Sequence, residues 1–154
     1  MNFTGLSKFD NEMNCLKVRT NAVPKEFTEK YGSNHIAAST APTAIYTRLS
    51  RARLTESICI IILLYDCKTL KYTGIYYDMS SEYLTDGILW CAIDRENGYL
   101  YTSQFHNVGE ILQYDLETMT FLRAIPLEEK LDRIQGGSVY NGMLYLFYDA
   151  ANST

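Results

Sequence analysis

Trp90-Cys91-Ala92-Ile93-Asp94, the turn residues Asn97-Gly98, and Tyr99-Leu100-Tyr101-Thr102-Ser103 form the stretch that decides the fold. Tyr, Ile, Leu and Thr favour strands, and the alternation in Tyr99 to Thr102 has the period of a half-buried strand. Asn-Gly between two such runs predicts a tight hairpin, because both residues tolerate positive φ. The same arrangement returns as Gly136-Gly137-Ser138-Val139-Tyr140, Asn141-Gly142 and Met143 to Tyr148. A degraded third copy runs from His35-Ile36-Ala37-Ala38 to Ala44-Ile45-Tyr46-Thr47, with Ser39 to Thr43 in place of Asn-Gly.

A second marker keeps step with the first. An apolar run ending in aromatic-Asp and followed by a turn occurs at Leu6 to Asp10, at Leu63 to Asp66 and at Ile111 to Asp115. The last two turns are nearly alike, Cys67-Lys68-Thr69-Leu70 and Leu116-Glu117-Thr118-Met119. An Asp at a strand end accepts backbone N–H groups across a tight turn, and Thr acts similarly. Phe9 to Tyr65 is 56 positions and Tyr65 to Tyr114 is 49, while His35 to Trp90 is 55 and Trp90 to Gln135 is 45. A shared period near 50 with four short strands in each predicts an all-β chain of antiparallel meanders, the pattern of propeller blades. With strands lettered A to D outward from the axis, residues 3–33 supply C-D, 34–80 and 84–127 supply two further blades, and 132–150 supplies A-B. The small residues Ala37, Ala92 and Gly137 suit a crowded strand A. Strands are expected near 60–65, 70–77, 89–94, 98–103, 110–114, 119–125, 135–140 and 143–148, with Trp90 and Ile93 both buried on the inner strand. Helical signal is confined to Pro24 to Tyr31, where Pro24 suits a first turn.

Leu64-Tyr65-Asp66-x-x-Thr69-Leu70, Ile93-Asp94-x-x-x-Gly98-Tyr99-Leu100-Tyr101 and Tyr140-Asn141-Gly142-x-Leu144-Tyr145-Leu146 resemble blades of NHL- and YVTN-type β-propellers, and the quinoprotein-like class is similar too. The resemblance covers most of residues 3–150; Ser39 to Ser57 departs from it. It implies a fold far more than an activity, since propellers serve many functions. About three blades fall short of the four to eight that close a propeller. Two routes follow from that shortfall: copies assemble into a ring, or the chain is a fragment of a longer parent. An open arc exposes strand edges, and the uncharged run Ile58 to Tyr65 adds to the tendency to self-associate.

Composition narrows the partners. The chain has 154 residues, 47% of them hydrophobic and 21% charged, which suits one globular domain. Lys plus Arg is 14 against 18 for Asp plus Glu, a net charge of -4, and this argues against nucleic acid or an anionic membrane as partner. The longest apolar run is too short for a bilayer, which needs about 20 residues. Met1 to Thr20 lacks an apolar signal core, so a cytoplasmic address is the default expectation. The sequons at Asn2 and Asn152 matter only if a longer parent is secreted. The four cysteines, Cys15, Cys59, Cys67 and Cys91, have neither zinc-ribbon nor thioredoxin spacing and are expected to be buried free thiols.

Loops entering strand A rim the channel of a propeller, and ligands usually sit there. The equivalent loops here place His35, Trp90 and Gln135 at matching positions, with Asp86, Asp132 and Arg133 nearby. This set is the candidate site for a small polar ligand. Propeller lactonases of the regucalcin and gluconolactonase type carry a divalent cation at this rim, where Asn34, Asp86 and Asp132 would be recruited. No acidic loop of calcium-binding spacing supports that, and no metal or cofactor is expected. No catalytic residue is assigned either. A Gly-x-Ser-x-Gly elbow and a dinucleotide fingerprint are missing; Cys91 with His35 as base is outweighed by inert packing of the thiol. His106 is expected at the surface, and Arg48, Arg51 and Arg53 form a solvated basic cluster. The leading expectation is a non-enzymatic binding or scaffolding module. Its rival is a fragment of a lactonase-like or quinoprotein-like enzyme with a channel site.

Overall fold

A computed structural model describes residues 4–31, 36, 60–79 and 82–149. The chain divides into two units, Met1–Asp78 and Met79–Thr154. In both, the regular elements are antiparallel strands, as the sequence predicts, apart from one short helix in the first unit, and among the described residues no sheet closes on itself. No helix of the described residues is long and apolar enough to cross a membrane.

In the first unit, β1 (Leu6–Phe9) pairs with β2 (Cys15–Arg19), and β3 (Ile61–Tyr65) pairs with β4 (Tyr72–Asp78). Between the hairpins lies α1 (Lys25–Tyr31), a little longer than the single turn expected. Pro24 opens it by accepting the Thr28 N–H at 3.3 Å, and its own missing N–H would have had no helical partner there. Phe27 points from α1 into a core of Leu6, Ala22, Val23, Ile61, Leu63, Tyr65 and Leu70. Ile60 to Leu63 and Tyr65 are buried, so the described side chains of this run serve the core. The expectation that this run is exposed is corrected: Ile61, Leu63 and Tyr65 share one face of β3 and pack with Leu6, Val23 and Phe27. The Tyr65 hydroxyl donates to the Ala22 carbonyl at 3.0 Å, which satisfies both groups out of water.

In the second unit, β5 (Ala92–Asp94), β6 (Tyr99–Thr102), β7 (Val108–Asp115) and β8 (Phe121–Leu131) form one meander in sequence order. β9 (Ile134–Tyr140) and β10 (Met143–Tyr148) form a separate hairpin. Its inner side chains, Val139, Leu144 and Leu146, pack on a cluster of Trp90, Ala92, Val108, Ile111 and Ile134. β8 runs further than expected; a register shift between Val108 and Glu110 absorbs the extra residues. Pro126 is tolerated because β8 is an edge strand of this sheet.

The turns after Tyr65 and Tyr114 are built alike. Asp66 Oδ1 accepts the Lys68 N–H, the Thr69 N–H and the Thr69 hydroxyl at 3.2, 2.7 and 2.7 Å. Asp115 Oδ1 accepts the same three groups from Glu117 and Thr118 at 3.1, 2.8 and 2.8 Å. These bonds, the Thr69 hydroxyl foremost for Asp66 and the Thr118 N–H for Asp115, hold both carboxyls below their usual range. Each turn ends on a residue at φ 55°, Leu70 or Met119. A side chain there is strained by about 1–3 kcal/mol, and burial of both side chains offsets it. Asp10 forms a shorter version, accepting from the N–H groups of Glu12 and Asn14, both at 2.9 Å.

Three expectations need correction. Asn141-Gly142 is the two-residue hairpin turn foreseen, with φ of 49° and 70°. Asn97-Gly98 is not; only Gly98 has positive φ, and Asn97 instead donates its N–H and Nδ2 to Asp94 at 3.1 and 2.8 Å, giving a longer loop. Ile93 is only half-buried, between the buried Ala92 and Asp94. Of the described cysteines only Cys91 is buried; Cys15 is exposed and Cys67 lies between, because both belong to a hairpin strand or turn that faces water. The expected strand over 44–47, and Cys59, lie outside the described residues.

Candidate functional site

The loop 103–107, between β6 and β7, gathers several of the candidate residues. Asp86 lies in the segment before β5, and its two carboxylate oxygens each accept one backbone N–H. Phe105 donates to Oδ1 and His106 to Oδ2, both at 2.7 Å. Asp132, between β8 and β9, accepts the Asn107 N–H at 2.9 Å, and the same oxygen stands 3.2 Å from His106 Nδ1. Arg133 sits at φ 55°, donates its N–H to the Phe105 carbonyl at 2.8 Å, and pairs its guanidinium with Asp149 at 3.0 Å. Asp86, Asp132 and Arg133 thus meet on three consecutive loop residues, Phe105 to Asn107. Asn107 is itself at φ 51°, a conformation a non-glycine residue holds only where its surroundings fix it.

The electrostatics follow from these bonds. The Asn107 N–H first, and His106 after it, hold the Asp132 carboxyl below the usual range. A carboxyl lowered by folding stabilises the fold above its unfolded pKa, and that contribution fades as the pH drops through the lowered value. His106 is exposed, as expected from the sequence.

Trp90 and Gln135 do not join this group. Trp90 is 1% exposed. Its indole N–H donates to Ser103 Oγ at 3.0 Å, and its carbonyl accepts the Thr102 hydroxyl at 2.7 Å. Gln135 is exposed on β9, next to the buried Ile134. His35 and Asn34 lie outside the described residues. Burial pushes the Cys91 thiol up to about 12, so it is not a ready thiolate. Among the described residues no three His, Cys, Asp or Glu side chains are grouped to hold a metal ion.

The acid cluster therefore organises backbone. Asp86→Ala leaves two loop N–H groups without their ionised acceptor, and hydrogen bonds to charged groups contribute about 1.5–3 kcal/mol. We expect a loss near the lower figure, with faster amide exchange at Phe105 and His106. Unchanged exchange at those two amides would contradict the assignment.

A different surface has the character of a contact site. From Ile134 to Tyr148 no residue is charged. The outer face of the β9–β10 hairpin carries Tyr140, Met143, Tyr145 and Phe147, which are 66%, 57%, 45% and 62% exposed. Register places Met143 opposite Tyr140, Tyr145 opposite Ser138 and Phe147 opposite Gly136, so these side chains share one face with little else to cover them. Among the described residues β10 pairs only with β9, and no described strand lies on its other edge. An edge without Lys, Pro or any charge lacks the usual protection against strand addition. The sequence held the clue: Met143 to Tyr148 is apolar or aromatic at every position, whereas a half-buried strand alternates with polar residues. No family model matches the chain, and no curated protein matches it either.

Proposed function

We propose that this chain is a non-enzymatic binding or scaffolding module made of propeller-type blades, and that the β9–β10 hairpin is its contact surface for a second copy. The observation that carries the proposal is the uncharged outer strand with its row of exposed aromatic side chains. Apolar patches of this kind mark interaction sites. Pairing of two β10 edges would extend the two-stranded sheet to four, and more than two strands are needed for a sheet to be stable by itself.

The blade reading draws support from the four-stranded meander β5–β8, from the like-built turns at Asp66 and Asp115, and from the packing of β9–β10 against the cluster around Trp90. The rival reading, a lactonase-like or quinoprotein-like fragment with a ligand at the channel, finds no comparable support. Its candidate residues Asp86, Asp132 and Arg133 are engaged by loop backbone.

Size-exclusion chromatography with light scattering tests the proposal. The chain should elute as a species of at least twice 17.6 kDa. Tyr145→Lys combined with Phe147→Lys places two charges on the exposed face and should return it to monomer, with an unchanged circular-dichroism spectrum. A monomer that melts cooperatively in the unmodified chain would overturn the proposal.

A further inference from the structure

Two turns of the second unit carry the same dipeptide, Asn97-Gly98 and Asn141-Gly142, yet their asparagine side chains are held differently. Asn97 is clamped by Asp94: its N–H donates to Oδ1 at 3.1 Å and its Nδ2 to Oδ2 at 2.8 Å. Asn141 is exposed at the tip of the β9–β10 hairpin. Among the described residues no hydrogen bond engages its side-chain amide, and the N–H of Gly142 has no partner either. An asparagine followed by glycine reacts with its own backbone, because glycine has no side chain to shield the attacking nitrogen. The backbone nitrogen of Gly142 attacks Cγ of Asn141, and the new C–N bond closes a five-membered succinimide. The Cγ–Nδ2 bond breaks, and Nδ2 leaves as ammonia with the proton given up by Gly142. Water then adds across one of the two imide C–N bonds. Opening at Cγ yields aspartate; opening at the main-chain carbonyl yields isoaspartate, whose backbone runs through Cγ. Either product exchanges a neutral amide for a carboxylate, with no oxidation or reduction.

We propose that Asn141 is a self-modification site, converted through this succinimide to aspartate and isoaspartate, and that Asp94 spares Asn97 the same fate. The attack requires the asparagine side chain to swing over the following nitrogen. For Asn97 that movement must first break the Nδ2 bond to an ionised carboxylate. For Asn141 it breaks none. Both turns must loosen, and loop tips open at lower cost than the strands they join. The place of the product gives it a consequence, which rests on the reading of this hairpin as a contact surface. Ile134 to Tyr148 is uncharged, and residue 141 lies between Tyr140 and Met143 of the exposed face. A new carboxylate there must be desolvated against a second copy, which is costly. Isoaspartate also lengthens the turn by one backbone carbon and so disturbs the Tyr140–Met143 pairing. The modification acts as a slow, one-way release of assembled chains.

The full chain, incubated for days in mildly alkaline buffer with a parallel sample in urea, is sampled by proteolysis and peptide mass spectrometry. In urea the two Asn-Gly sites should react alike, since local sequence alone then sets the rate. In the folded chain Asn141 should react about tenfold or more faster than Asn97, the factor for first breaking a hydrogen bond to a charged group. Equal rates in the folded chain, or a faster Asn97, overturn the proposal. So does an Asn141 that stays intact in the folded chain while both sites react in urea. Asn141→Asp supplies the charge from the outset, and Asp tolerates the positive φ of this turn. It should elute as monomer where the parent is larger, with an unchanged circular-dichroism spectrum. Assembly of Asn141→Asp equal to that of the parent overturns the release step. A parent that is monomeric from the start overturns the contact reading instead, and the mass spectra still decide the modification site.

Discussion

Trp90→Ala is expected to remove about 3–5 kcal/mol of stability, the range for deleting a large aromatic side chain from a packed core. Against a total of about 5–15 kcal/mol for a domain, that is enough to leave a visible unfolded fraction at room temperature. The reasons are specific. Trp90 is 1% exposed and lies in contact with Ala92, Val108, Ile111 and Ile134, so it joins β7 and β9 to the strand that follows it. Its removal leaves a cavity and also strips Ser103 Oγ of its donor inside the structure. Trp90→Phe keeps a six-membered ring but loses the pyrrole half with its N–H, so it should cost about 1 kcal/mol for the hydrogen bond plus a smaller cavity, less in total than Trp90→Ala. Urea melts measure both. Coincident midpoints for Trp90→Ala and the parent chain would show that this cluster does not hold the unit together.

The same residue shows how far the sequence could be read. The strands and their antiparallel pairing were legible because turn chemistry is local: the Asp66 and Asp115 carboxylates accept from residues two and three positions on, so similar sequences gave like-built turns. The phase of β5 was not read correctly. Expecting both Trp90 and Ile93 inside conflicts with a period of two, since they are three apart. Residues 90, 92 and 94 share the inner face, and Asp94 can point inward because its carboxylate is occupied by Asn97. That same bond explains why Asn97-Gly98 makes a longer loop than Asn141-Gly142, where no inward Asp precedes the turn.

Site residues were harder, for a reason of the same kind. Asp86 and Asp132 sit about 20 to 25 positions from the amides they cap, and nothing in a linear motif marks such pairs. The exposed hairpin face was legible in principle. It was missed because an apolar strand reads as buried until the structure shows that only one of its faces, through Leu144 and Leu146, has a neighbour.

Gly137→Ala is expected to cost about 1–3 kcal/mol, the range for overpacking a well-filled core, although it adds only one methyl group. A Cβ on residue 137 would lie 2.6 Å from both Cε3 and Cζ3 of Trp90 and 3.4 Å from Leu146 Cδ2. The ring has little room to retreat, being buried and tied through its N–H to Ser103. The backbone of β9 must then lift away from the indole, and the whole hairpin with it. Trp90→Leu opens the contested space, so in that background the penalty for Gly137→Ala should shrink by a coupling of about 0.5–3 kcal/mol, as for residues in direct contact. An equal penalty in both backgrounds would mean that the close approach to Trp90 is not what requires glycine. The link to function runs through the same contact. Gly137 lets β9 lie flat on the core, which holds Tyr140, Met143, Tyr145 and Phe147 on the outer side of the hairpin. Gly137→Ala should therefore weaken self-association as well as lower the melting midpoint, whereas Tyr145→Lys with Phe147→Lys should weaken association alone.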